Sequence, residues 1–220
     1  MTYQAAVFDL DGLLLDTEKV CMQAFRDACE ALSLPMLEKV YLGIIGCNAQ
    51  GIERIIQKGY GSDLDYPQLR KEWMNRYHPV IEERAIPKKE GVIELFEWLQ
   101  AQKIPIAVAT SSHQKEATVK LKLSGLDAYI SSLSTGCEVK HGKPDPEIYL
   151  LAAQRLNTAP AQCLAFEDSS NGVRAAVAAG MQVHQVPDLV KPTEDIIALG
   201  HNIDNSLLNV LSSLKAAISD

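Results

Sequence analysis

The sequence predicts an α/β fold: a Rossmann-like parallel sheet core with helices on both faces, plus a small helical cap domain inserted after the first strand. Three observations carry this reading. Short apolar runs without polar alternation, beginning with Gln4-Ala-Ala-Val-Phe-Asp9, mark strands buried on both faces. Helical patterns take turns with those runs, which is the rhythm of a parallel sheet. Residues 17–87 then break the rhythm, with helical patterns and no convincing buried strand.

Element by element, the first strand covers residues 4–9 and is ended by acids and Gly12. Within the insertion, helices are expected at 19–32, 50–58 and 66–84, punctuated by Gly43, Gly46, Gly59 and Gly61. A helix at 91–102 leads into the second strand at 104–110, and a helix at 113–124 into a weaker strand at 129–133. A helix at 146–156 precedes the strand at 163–168, and one at 171–179 precedes the strand at 182–186. An amphipathic helix at 205–218 closes the chain. The expected domains are a catalytic core of residues 1–16 and 88–220 and a cap of residues 17–87.

Composition narrows the function classes. A chain of 220 residues with 47% hydrophobic and 22% charged residues buries a real core and is neither disordered nor fibrous. Lys and Arg number 21 against 28 Asp and Glu, a net charge of −7 with no basic run, which argues against nucleic acid and anionic membranes as partners. The apolar runs fall far short of a membrane span, and Met1 leads into a strand-like run rather than a signal peptide. Five scattered cysteines (Cys21, Cys29, Cys47, Cys137 and Cys163) form no Cys-x-x-Cys, which suits reduced thiols in a cytoplasmic protein. A monomer is the default expectation.

The most informative residues are Asp9-Leu10-Asp11-Gly12, directly after an apolar strand. Ligands of an open parallel sheet bind beyond the carboxyl ends of its strands, so both acids stand at the mouth of a site. Glu167-Asp168 closes another apolar strand in the same manner. Either pair alone reads as a turn or a solvated loop; together they read as a site. Four converging carboxylates repel one another, and a hard divalent cation with oxygen ligands, Mg²⁺, resolves the conflict. Thr110-Ser111-Ser112 ends a strand and opens a helix, which offers an anion cradle as well as an ordinary N-cap. In Gly142-Lys143-Pro144-Asp145-Pro146, two prolines stiffen the loop that presents Lys143.

In this order the motifs, extended to Asp16-Thr17-Glu18 and to Phe166-Glu167-Asp168-Ser-Ser-Asn171-Gly172, resemble those of the haloacid-dehalogenase-like phosphatases. The resemblance spans residues 4–187. It is closest to the subgroup holding β-phosphoglucomutase and the sugar-phosphate and pseudouridine-5′-phosphate phosphatases. It implies that Asp9 is a nucleophile forming an aspartyl phosphate and that Asp11 is the general acid and base. Thr110, Ser111 and Lys143 would bind the phosphoryl group. Asp9, the Asp11 carbonyl and Asp168 would hold Mg²⁺, with Glu167 nearby or ligating. Asp11 must change protonation between steps, so its surroundings are expected to be apolar and dependent on the cap.

The implied activity is Mg²⁺-dependent hydrolysis of small phosphate monoesters, of the sugar-phosphate or nucleoside 5′-monophosphate type. A phosphomutase is the alternative, and a non-catalytic phosphosugar-binding module a third reading. Mutases of the subgroup carry a cap arginine where this chain has Ala49, which favours the phosphatase; a shifted alignment would bring Arg54 to that role. Asn48, Gln50 and Ser112 are the candidate substrate contacts. The cap aromatics Phe25, Tyr41, Tyr60, Tyr66, Trp73 and Tyr77 read chiefly as packing. His141 reads as an exposed loop residue, His113 as a helix opener, and Asp16 and Glu18 as hinge or supporting acids.

Overall fold

Strands β1 (Ala5–Phe8), β2 (Ile106–Thr110), β3 (Ile130–Thr135), β4 (Cys163–Glu167), β5 (Gln182–Gln185) and β6 (Asn202–Ile203) form one parallel sheet in the order β3-β2-β1-β4-β5-β6. The structure is a computed structural model that describes residues 3–45, 47 and 49–219. The central strands are buried throughout, as their unbroken apolar runs require. Alternate residues feed opposite faces. Ala6, Phe8, Ile106, Val108, Leu164 and Phe166 enter one core, whereas Ala5, Val7, Ala107, Ala109, Cys163 and Ala165 enter the other. The first core is aromatic: the Phe8 ring stacks on Phe166 at 4.2 Å and meets Phe96 edge-on at 5.0 Å. The second is rich in alanine.

Helices cover both faces. Helices α5 (Val92–Ala101), α6 (Gln114–Ser124) and α10 (Leu207–Ser219) contribute to the aromatic core, while α7 (Glu147–Arg155), α8 (Ser170–Ala178) and α9 (Glu194–Ile197) pack on the small side chains opposite. Between β1 and α5 lie α1 (Thr17–Ala31), α2 (Glu38–Ile44), α3 (Ala49–Tyr60) and α4 (Tyr66–Glu83). There Phe25 of α1 meets Trp73 of α4 edge-on at 5.0 Å, and the indole N–H donates to Cys21 O at 3.1 Å. The aromatics of this stretch are packing residues, all buried except the half-buried Tyr60, and only Tyr77 among them lines the cleft described below. The two crossings into the four helices are tied together: the Asp16 N–H donates to Pro87 O at 2.9 Å and the Lys89 N–H to Leu14 O at 3.0 Å.

The five expected strands are present, and the weak one is displaced: it runs to Thr135 rather than Leu133. The sheet gains a sixth, β6, whose two exposed residues form no apolar run. Helices α2 and α9, of 7 and 4 residues, are too short to show a period and were not expected.

Candidate active site

Strand β1 pairs with β2 on one side and β4 on the other, so the strand order turns between β1 and β4, where open α/β sheets receive ligands. The sequence puts acids on both strand ends. The Asp9 N–H donates to Phe166 O at 3.0 Å, which sets Asp9 beside Glu167. Lys143, from the loop before α7, reaches between them: its Nζ donates to Asp9 Oδ1, to Glu167 Oε1 at 2.5 Å and to Ala109 O at 3.1 Å. Burial works against this ammonium, but the attraction of Asp9 and Glu167 wins and raises its pKa. Burial raises Asp9 to about 7; Lys143 opposes that rise, and Glu167 and Asp11 add to it.

Glu167 is fully committed to protein donors. The Tyr149 hydroxyl donates to its Oε1 at 2.6 Å, while Oε2 accepts the N–H groups of Asp168 and Ser169 and the Ser169 hydroxyl at 3.1–3.2 Å. With both oxygens accepting protein donors, Glu167 organises Lys143 and the following turn, and it stands beside Asp9 and Asp168 as the sequence places it. Glycine is required at 172 for the same reason, since a Cβ there would overlap the Glu167 carboxylate.

Asp11 departs from expectation. Its surroundings are ionic, not apolar: Lys120 of α6 donates to Oδ1 at 2.7 Å, the Ser112 hydroxyl to Oδ2 at 2.7 Å and the Thr110 hydroxyl to Oδ2 at 3.3 Å. Burial alone would raise the Asp11 pKa, but Lys120 and the hydroxyls outweigh it and lower the pKa. Lys120 is itself buried, pairs also with Glu116, and lies 5.7 Å from the Tyr77 ring centroid.

Thr110 and Ser112 are therefore both in contact with Asp11, and the Ser112 N–H donates to Thr110 Oγ1 at 3.0 Å. Ser111 lines the same cleft, its carbonyl packed so closely that a Cβ on Gly136 would stand 2.5 Å away. The cleft has a volume of about 450 Å³. Asp9, Asp11, Thr110, Lys143 and Asp168 lie on its floor, and Glu18, Cys21, Ile45, Cys47, Ala49 and Tyr77 form its outer wall. Gln50 is exposed and absent from that wall: the first turn of α3 presents Ala49 to the cleft, and the next residue is rotated about 100° away. This corrects Gln50 as a substrate contact. Asn48 lies outside the described residues. His141 is exposed, pairing with Glu147.

Sequence reasoning missed Lys120, Tyr149 and Glu116. For Lys120 a signal existed. The buried residues of α6 are Ala117, Lys120, Leu121 and Ser124, one helical stripe with a lysine inside it.

Among the described residues, no three His, Cys, Asp or Glu side chains are grouped as a ready metal shell. The donor chemistry nevertheless fits a hard cation. Burial, then repulsion from Glu167, Asp9 and Glu18, raises the Asp168 pKa well above the carboxylate range, and among the described residues Lys143 is the cation that opposes this at both Asp9 and Asp168. Excess buried negative charge among oxygen donors is what a divalent cation neutralises.

The family model described as haloacid dehalogenase-like hydrolase matches residues 6–186. A phosphorylated carbohydrates phosphatase of Thermotoga maritima is 33% identical over 211 residues, covering 87% of this chain and 95% of the relative. A probable pseudouridine-5′-phosphatase of Drosophila melanogaster is 34% identical over 188 residues, covering 83% and 80%. Among solved structures, CbbY from Rhodobacter sphaeroides in complex with phosphate superposes with a TM-score of 0.74 at 26% identity, covering 94% and 95% of the two chains.

Proposed function

Because the chain belongs to the haloacid dehalogenase-like hydrolase family, and its relatives over most of its length are named phosphatases, we propose that it hydrolyses small phosphate monoesters through an aspartyl phosphate on Asp9. The observation that carries this reading is Lys143 held between Asp9 and Glu167 at the turning point of the sheet. There a nucleophilic carboxylate and a buried cation meet on the floor of a cleft. Sugar phosphates and nucleoside 5′-monophosphates are the substrate types supported by the relatives, whose names include a carbohydrate phosphatase and a pseudouridine-5′-phosphatase.

In the first step an Asp9 carboxylate oxygen bonds to phosphorus while the bond to the leaving alkoxide breaks, and Asp11 protonates that alkoxide. In the second, water attacks phosphorus, its proton passes to Asp11, and the Asp9–phosphorus bond breaks. Lys143 offsets the repulsion between the Asp9 carboxylate and the incoming dianion, while Thr110 and Ser111 bind phosphoryl oxygens. Asp11 begins ionised against Lys120, so its acid role requires it to take up a proton from solvent before the leaving group departs, with release of the Ser112 and Thr110 hydroxyls. Mg²⁺ held by Asp9, Asp168 and the Asp11 carbonyl would supply the remaining positive charge.

Residues 1–16 and 88–220 form the catalytic core in this reading, and 17–87 a cap that selects the leaving group. No helix among the described residues is long and apolar enough to cross a membrane, and five free cysteines support a reducing, cytoplasmic setting.

The test is release of inorganic phosphate from p-nitrophenyl phosphate in Mg²⁺. Asp9→Asn is expected to lower kcat by about 10³-fold or more, and turnover that survives this change overturns the reading.

A further inference from the structure

The cleft contains a charge arrangement that bears on which leaving group it accepts. Five carboxylates line it (Asp9, Asp11, Glu18, Glu116 and Asp168) against two lysines, Lys120 and Lys143, among its described residues. Gly46 and Asn48, which adjoin it in sequence, carry no charge. Both lysines are already committed: Lys143 to Asp9 and Glu167, Lys120 to Asp11 and Glu116. The Lys120 side chain is 1% exposed and the Lys143 side chain 6%, so neither swings out to meet a distant anion. Lys143 stands at the phosphoryl end. The outer wall offers thiols, Ile45, Ala49, the Tyr77 ring and the acceptor oxygens of Glu18, and α6 adds those of Glu116 beside it.

Resting on the phosphatase reading above, we infer that the cleft takes phosphomonoesters whose leaving group is uncharged and hydroxyl-bearing, and rejects those carrying a second phosphate or a carboxylate. A second anion on the wall would face Glu18 and Glu116 with no free cation to offset it, and like charges so placed disfavour binding strongly. Hydroxyl groups donate to those same carboxylates, and the apolar carbon face of a polyol rests against Tyr77 and Ile45. Arg54 is the nearest cation in sequence, but it is exposed and does not line the cleft.

The experiment uses the full chain with Mg²⁺ and two substrate pairs matched except for charge: glycerol 3-phosphate with 3-phosphoglycerate, and fructose 1-phosphate with fructose 1,6-bisphosphate. The member of each pair with the uncharged leaving group is expected to show kcat/KM at least about tenfold higher. Ala49→Arg is expected to narrow both ratios by supplying the missing cation. The same pairs titrated calorimetrically into Asp9→Asn measure charge selectivity without turnover. Failure to hydrolyse p-nitrophenyl phosphate would overturn the phosphatase reading; the inference falls separately. Ratios near unity, or a preference for the anionic member, overturn it, and loss of such a preference in Arg54→Gln would identify the cation that entered.

Discussion

Lys120 and Asp11, 109 residues apart in the chain, form a 2.7 Å ion pair whose lysine side chain is 1% exposed. The pair joins the loop after β1 to the buried face of α6, and Glu116 completes it from one helical turn earlier. Removing the lysine leaves two carboxylates facing each other around a buried space. Lys120→Met is therefore expected to cost about 3 kcal/mol of stability. It also raises the Asp11 pKa, moving the pH profile of kcat upward. Chemical denaturation and a pH–rate series check both. The exposed pair Lys115–Glu82, at 3.1 Å on side chains 83% and 45% exposed, is the comparison, and Lys115→Gln is expected to change stability by less than about 0.5 kcal/mol.

This pair also marks the limit of what the sequence makes legible. Apolar runs that end in Asp9, Thr110 and Asp168 are visible because these strands, buried on both faces, stay apolar until their last residues. Their convergence follows from parallel topology, which places all those ends on one edge. A helical lysine, by contrast, resembles any solvated lysine until the helix's buried face is known, and Lys120 sits in that face beside Ala117, Leu121 and Ser124. The expectation of apolar surroundings for Asp11 follows from its protonation cycle alone, and the lysine that surrounds it with charge instead lies on a distant helix. Gln50 was a plausible contact until the helical turn assigned Ala49 to the cleft. The two residues of β6 are exposed and pair only through β5, so they carry no signal of their own.

The raised carboxyls make stability depend on pH in a direction set by burial. Asp9 and Glu18 both rise to about 7, with burial the largest cause in each. A carboxyl raised in this way contributes stability that is complete below its unfolded pKa of about 4 and is lost as pH climbs through 7. Asp11 runs the other way, its contribution present above that unfolded value and lost only in acid. The metal-free protein is therefore expected to melt at a lower temperature at pH 8 than at pH 5.5. Protons compete for Asp9 and Asp168, so the gain in melting temperature on adding Mg²⁺ is expected to be larger at pH 8. Melts in EDTA and in MgCl₂ at the two pH values test this; a gain independent of pH would remove these carboxyls from the metal site.

Gly172 tests the role assigned to Glu167. It lies in the first turn of α8, where its N–H donates to Ser169 Oγ at 3.1 Å. A methyl group at 172 would occupy the space of the Glu167 carboxylate, which is hemmed in by Lys143, Tyr149 and the Ser169 turn. Alanine elsewhere in a helix is favourable relative to glycine by up to about 1 kcal/mol. Here the overlap is expected to dominate, with Gly172→Ala destabilising by about 1–3 kcal/mol. Lys143 would lose its second anchor, so KM for p-nitrophenyl phosphate is expected to rise. A stabilised, fully active variant would show that the carboxylate can move without consequence.

Gly12 makes the corresponding test of Asp168. Its φ of +85° lies in the left-handed region, and its N–H is shared by Leu15 O at 2.9 Å and Thr17 Oγ1 at 3.0 Å. A Cβ at this position would collide with Asp168 Oδ2 and touch Glu18 Cγ at 3.4 Å. Gly12→Ala therefore carries two effects, backbone strain of about 1 kcal/mol and displacement of the Asp168 carboxylate. Gly125→Ala separates them, because Gly125 has a φ of +71° with nothing within 4 Å of its added Cβ. Gly125→Ala is expected to lose about 1 kcal/mol, and Gly12→Ala at least as much. Only Gly12→Ala is expected to raise the Mg²⁺ concentration for half-maximal activity, by about tenfold or more. Equal Mg²⁺ dependence in the two variants would mean that strain alone acts at residue 12 and that Asp168 does not hold the metal.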